Sequence, residues 1–343
     1  MTAAGERERL ASVDGLRAIA ALLVVWTHIA ETYVTVTSTG TWLHRVAYEL
    51  DLGRAGVVAF FAISGFVIPS SLRGPKPQGI RRFAIRRFFR LYPAYWLSIP
   101  LGLVTSWWMS GRSPGSAAIA ANITMLPDAF GAPKIQGLYW TLEIELVFYG
   151  ICAIAFWMNW LHLAAALRWL TLGFAAMFVA LYLAKVGVFD MLCLNLSTMF
   201  WGALWRKRHA GELRAVADRC LAWAVPAGWI ALAAASAAWL HKGRFPIATA
   251  LGVAMFALAT TLLPIRSRVL AWMGEISYSI YLFHPVVFYA LIWAIGRSGV
   301  GWFGNVHLGV YILTGAALSI AFAALVYKFV ERPAIELGKR IAA

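Results

Sequence analysis

From residue 11 to residue 331 the sequence returns repeatedly to runs of roughly 20 apolar residues, and this recurrence most constrains what the chain can become. About 20 such residues cross a ~30 Å hydrocarbon core as a helix, the one element besides a closed barrel that satisfies its own backbone there. Of the 343 residues, 61% are hydrophobic and 13% charged. A soluble domain carries about 25% charge, so too little polar surface remains to face water on all sides. The sequence therefore predicts an all-α, polytopic transmembrane helical bundle, a single membrane domain over 1–343, with spans near 13–31, 55–72, 90–110, 136–157, 164–184, 191–206, 221–240, 246–264, 276–296 and 307–330. A soluble enzyme, a secreted disulfide scaffold and a disordered chain are excluded. Cys152, Cys193 and Cys220 have neither disulfide nor zinc spacing and read as core residues, and no metal site is expected.

Charge supplies the orientation. With the N-terminus in the cytoplasm, the inner segments hold 22 of the 30 Lys and Arg, among them Arg7, Arg9, Arg17 and the run from Arg73 to Arg90. The positive-inside rule then places both termini in the cytoplasm. The net charge of +15 follows from this topology and from contact with anionic lipid, not from nucleic-acid binding. The first apolar run has no small-residue cleavage site after it and reads as a retained helix. Segment 111–135, punctuated by Gly and Pro, predicts an outer loop with a re-entrant or interfacial piece. No internal repeat is visible, and the thirteen residues after 330 are too short to fold alone.

Ionisable side chains inside membrane helices are costly and mark function by default. The deep ones are Arg17, His28, Glu143, Glu145 and His284. Eleven helical positions make three turns plus roughly 20°, so Arg17 and His28 share one face about 16 Å apart. Together they form a polar stripe from the inner surface to mid-membrane. The structural alternatives are an Arg17 that snorkels to the headgroups and a hydrogen-bonded core His28. Thr141, Glu145 and Tyr149 recur every four residues and line one face, whereas Glu143 is turned about 160° away from Glu145. Glu145 is thus the better candidate for a channel-lining acid or a histidine orienter, and Glu143 for an interface or outer-headgroup residue. Arg87 and Arg90 are neighbours on one face, a fork suited to phosphate oxygens as well as a topology anchor. Ser277, Tyr281 and His284 share another face, in a structural or a functional role. Ser64 and Gly65 suit close helix packing. No G-x-S-x-G elbow, phosphate loop or H-E-x-x-H is present.

Several fragments in order, VDGLRAIAALLVVWTH, FFAISGF, RRFFRLYPAYW, YWTLEIELVFY, ISYSIYLFHP and YKFVERP, resemble the acyltransferase-3 family of integral membrane acyltransferases, which includes many bacterial O-acyltransferases of surface glycans. The resemblance implies transfer of an acyl group, commonly acetyl, from cytoplasmic acyl-CoA to a hydroxyl acceptor that is often across the membrane. It also implies a multi-pass protein of the cell's inner membrane with a carbohydrate acceptor and no permanently bound cofactor. His28 takes the place of the family's essential first-helix histidine, Arg17 of its paired arginine, and Arg87 and Arg90 of the third-helix arginine pair. Glu145 falls on the Glu of W-S-L-x-x-E, with Thr141 for the usual Ser. Two departures stand out: Val58 occupies a position that is often acidic, and the chain ends without the hydrolase-like domain of many relatives.

The expected mechanism has Arg17, Arg87 and Arg90 on the CoA phosphates and the thioester near His28, which acts as general base or transient acyl carrier. Glu145 orients it, with Tyr149 and His284 at the substrate. The competing class is a proton-coupled transporter with His28, Glu145 and His284 as relay. A third, a non-catalytic scaffold, predicts that these polar residues are dispensable.

Overall fold

A computed structural model describes residues 3–38, 40–187, 189–239, 244–297 and 306–343. Arg7 and Arg9 lie outside the described side chains. Among the described residues there is no strand, and the helices are α1 Ala3–Thr37, α2 Trp42–Glu49, α3 Leu52–Val67, α4 Lys76–Gly102, α5 Ser116–Ile123, α6 Trp140–Trp157, α7 Ala164–Leu183, α8 Asp190–His209, α9 Val216–Trp239, α10 Arg244–Thr261, α11 Arg268–Glu275, α12 Ser277–Arg297, α13 Leu308–Val326 and α14 Arg332–Ile341.

Each predicted span falls on one of these helices, and eight of the described helices are long and apolar enough to cross a membrane. The third and sixth spans fall on α4 and α8, where every 18-residue stretch carries three or more charges. The charge has a different cause in each. Helix α4 gathers its arginines between Arg81 and Arg90, whereas α8 is buried from Cys193 through Trp205 and places Arg206, Lys207 and Arg208 in its last turn. An all-round buried helix is an interior helix, and cations at its C-terminus complement its dipole.

The chain forms two compact units, each assembled from separate stretches: Met1–Ala20, Arg54–Ile80 and Ile144–Gly274 in the first, Ala21–Gly53, Arg81–Glu143 and Glu275–Ala343 in the second. In the first, α3 meets α8 through glycines. A Cβ on Gly65 would overlap the Met199 carbonyl and one on Gly202 the Ala62 carbonyl, which gives the Ser64–Gly65 pair its packing role. Val58 is 2% exposed and stands against Gly252 of α10, so the often acidic position is here an apolar contact. Proline also sets partners. Pro226 has no N–H to offer the Ala222 carbonyl, and Trp201 Nε1 donates to that oxygen instead at 3.0 Å. Arg168 and Asp218 tie α7 to α9 at 2.6 Å.

In the second unit, the segment after α4 turns back along it. The last carbonyls of a helix lack the regular helical partner, and at the end of α5, where Asn122 O already accepts a turn bond from Met125 N, three side chains of α4 also donate. Tyr95 Oη reaches Asn122 O at 2.6 Å, Trp96 Nε1 reaches Ile123 O at 3.0 Å and Tyr92 Oη reaches Thr124 O at 3.0 Å. Tyr95 lies seven residues, about 10 Å, before the end of α4, so segment 111–135 folds back along that helix. Asn122 fastens its return, accepting from Ile135 N and donating to Pro133 O. At the start of α6, Lys134 pairs with Asp128 and, at 3.2 Å, with Glu143.

Candidate functional site

Two helices of the second unit bring His28 and His284 together. His28 Nδ1 lies 2.7 Å from His284 Nε2, with the rings edge to edge at 5.1 Å between centroids and nearly coplanar at 8° between planes. His284 is fully buried, and its Nδ1 is 2.7 Å from the carbonyl oxygen of Tyr281. The Tyr281 side chain continues the polar chain, its hydroxyl 2.9 Å from that of Thr141. Of the predicted Ser277, Tyr281 and His284 face, the last two therefore build the site directly.

One and a half turns before His284 on α12 stands a second polar cluster. Ser279 Oγ donates to Glu331 Oε2 at 2.5 Å, and Arg90 Nη1 pairs with Glu331 Oε1 at 2.5 Å. Arg90 also lies over the Tyr278 ring, whose hydroxyl donates to Leu91 O. Five residues at 1.5 Å put Ser279 about 7.5 Å along the axis from His284. Glu331, 1% exposed, was not among the deep ionisable residues read from the sequence, because the last apolar run ends at Val330. The backbone explains its burial: Tyr327–Glu331 is a π-helical turn, which shifts the register of the residues that follow α13. The closing motif YKFVERP was the available signal.

The other predicted residues have these settings. Arg87 is half-buried against the Phe83 ring on α4. In the first unit, Arg17 Nη1 is 3.0 Å from Asp14 Oδ1, and Tyr149 Oη donates to Glu145 Oε1 at 2.5 Å. The side chain in hydrogen-bond reach of the His28 ring is thus His284, while Glu145 is engaged by Tyr149. Glu143, read as turned away from Glu145, is engaged by Lys134 and by the Asp128 N–H. Among the described residues no group of three or more His, Cys, Asp or Glu is placed to hold a metal.

The fold and the site define a polytopic helical membrane protein with a hydrogen-bonded imidazole pair and an arginine–glutamate ion pair in its second unit. Comparison with known proteins makes the class specific. The family described as the acyltransferase domain of the acyltransferase-3 type matches residues 10–328, and the chain belongs to that family. It is similar to nodulation protein 10 of Rhizobium leguminosarum bv. viciae, 24% identical over 96% of this chain and 94% of the relative. It is also similar to the exopolysaccharide production protein ExoZ of Rhizobium meliloti, 25% identical over 86% of this chain and 93% of the relative. The acyltransferase MdmB of Streptomyces mycarofaciens is 26% identical over 97% and 93%. The peptidoglycan O-acetyltransferase OatA of Listeria monocytogenes is 29% identical over 42% of this chain and 23% of its own length. No solved structure matches. The chain is a membrane O-acyltransferase, and the transporter and scaffold readings are set aside.

Proposed function

We propose that this enzyme moves an acyl group, acetyl in the simplest case, from cytoplasmic acyl-CoA to a hydroxyl of a saccharide, with His28 as general base. The observation that carries the reading is the His28–His284 pair, with Ser279, which binds Glu331 of the Arg90–Glu331 pair, about 7.5 Å along α12 from His284, so that an imidazole and an arginine stand in one part of the second unit. The saccharide acceptor rests on the relatives, whose names include exopolysaccharide production and peptidoglycan O-acetylation. In this reading the protein lies in the inner membrane with both termini in the cytoplasm and acts as one domain.

The residues divide the work as follows. Arg87 contacts the CoA phosphates. Arg90 commits Nη1 to Glu331 and offers phosphate the remainder of its five-donor fork. His28 takes the proton of the acceptor hydroxyl as its oxygen bonds to the thioester carbon. The C–S bond then breaks, and His28 returns the proton to the sulfur, leaving an ester and CoA thiol.

The test is base-labile ester content in the saccharide fraction of membranes carrying the wild-type protein or His28→Ala, supplied with labelled acetyl-CoA. Label should enter the fraction in a His28-dependent manner. Labelling that persists at the wild-type rate in His28→Ala, with the variant folded, would remove His28 from the chemistry. Label confined to non-saccharide material would overturn the acceptor class.

A further inference from the structure

The reading of His28 as a base leaves open which ring nitrogen is basic, and the α12 backbone answers that. In a regular helix the N–H of residue 285 would donate to the carbonyl of residue 281. Residue 285 is proline, so no such donor exists and the Tyr281 oxygen is released from the helical ladder. His284 Nδ1 sits 2.7 Å from that oxygen. A carbonyl oxygen only accepts, so Nδ1 of His284 carries the proton. In the neutral imidazole the other nitrogen, Nε2, is then an acceptor. Its neighbour at 2.7 Å is His28 Nδ1, which must donate to make the bond. His28 is thereby protonated at Nδ1, and its Nε2 holds the lone pair.

We propose that Pro285 and His284 form a positioning device that fixes His28 in its Nδ1–H tautomer and so makes His28 Nε2 the reacting nitrogen. The order is Tyr281 C=O accepting from His284 Nδ1–H, and His284 Nε2 accepting from His28 Nδ1–H. His284 touches no substrate in this scheme. When Nε2 of His28 receives the acceptor proton, the imidazolium's Nδ1–H strengthens its bond to His284, because a charged donor binds more tightly than a neutral one. The device rests on the proposed role of His28 for its purpose but not for its existence.

The test therefore has a readout apart from activity. In protein labelled with 15N-histidine, His28, identified by loss of its signals in His28→Ala, should show a protonated Nδ1 and an unprotonated Nε2. In His284→Ala that pattern should be lost, and His284→Gln, whose amide oxygen can accept from His28 Nδ1, should restore it. Activity should follow: His284→Ala lowers kcat by roughly 10²-fold with the KM for acyl-CoA little changed, and His284→Gln recovers a large part. Pro285→Ala returns an N–H to the Tyr281 carbonyl, and should shift the His28 signals in the same direction as His284→Ala. A wild-type His28 protonated at Nε2 overturns the proposal whatever the activity. The predicted tautomer in an enzyme indifferent to His28→Ala would instead sustain the device and overturn the role of His28 as base.

Discussion

At Glu331 a carboxylate sits almost wholly out of water, and Arg90 and Ser279 engage its two oxygens. Breaking a buried ion pair by removing one partner leaves the other uncompensated, at a cost of about 3 kcal/mol. Glu331→Ala should therefore lower the unfolding midpoint in detergent markedly, whereas Arg332→Ala, which loses only the exposed pair with Glu336, should shift it little. Arg87 makes the opposite kind of claim. A charged hydrogen bond to phosphate contributes about 1.5 to 3 kcal/mol, so Arg87→Ala should raise the KM for acyl-CoA roughly 10- to 100-fold with kcat nearly kept. An unchanged KM would move the phosphates elsewhere. His28 was legible in the sequence because an imidazole inside an apolar run is conspicuous. His284 was singled out for the same reason, but the direct bond between them was not legible, since the two histidines are 256 positions apart and their meeting depends on how α1 and α12 pack. Glu331 was hidden for a local reason, the π-helical turn that carries it inward just past the end of the apolar run.

Among the elements, the segment that returns along α4 shows how composition announces a structure without specifying its fastening. Gly and Pro between 111 and 135 marked the loop, but which carbonyls the aromatics of α4 would satisfy depended on the depth to which α5 returns. Tyr95 is fully buried and donates to Asn122 O, which also accepts from Met125 N at 3.1 Å, so Tyr95→Phe removes one of two bonds to that carbonyl at a cost of about 1 kcal/mol. Amide hydrogen exchange should accelerate over 116–136 in that variant while α9 and α10 keep wild-type protection; uniform exchange would show that the segment is held by other contacts. The ion cluster near its end adds a pH dependence. Burial raises the Asp128 carboxyl, but the hydrogen bond and charge of Lys134 outweigh it and leave the group below its usual range. A lowered folded value means the stabilisation is in place above the unfolded pKa of about 3.9 and is lost as pH falls through the folded value. The difference in unfolding midpoint between the wild type and Asp128→Asn should hold constant from pH 7 to about 5 and close below about 4. Because Asp128 is largely exposed, that difference should stay under about 1 kcal/mol.

For the molecule as a whole, apolar run length foretold the helical bundle and the positions of its long helices, because the requirement that every backbone group be satisfied in lipid leaves few alternatives. What run length left out is which helices meet lipid and which meet protein: α8 reads as a span but is buried from Cys193 to Trp205. Nor did it show that the chain is partitioned within α1, α3, α4, α6 and α11, so that neither compact unit is a continuous piece of sequence. The candidate chemistry gathers in the second unit, where α1, α4, α12 and the turn after α13 contribute His28, Arg90, His284 and Glu331. The most direct test of the account is release of CoA thiol from acetyl-CoA by the purified protein in nanodiscs, with a saccharide acceptor, for wild type and His28→Ala. The account predicts a rate about 10²- to 10⁴-fold lower in the variant, with acyl-CoA still bound. Equal rates in the two folded proteins would contradict it.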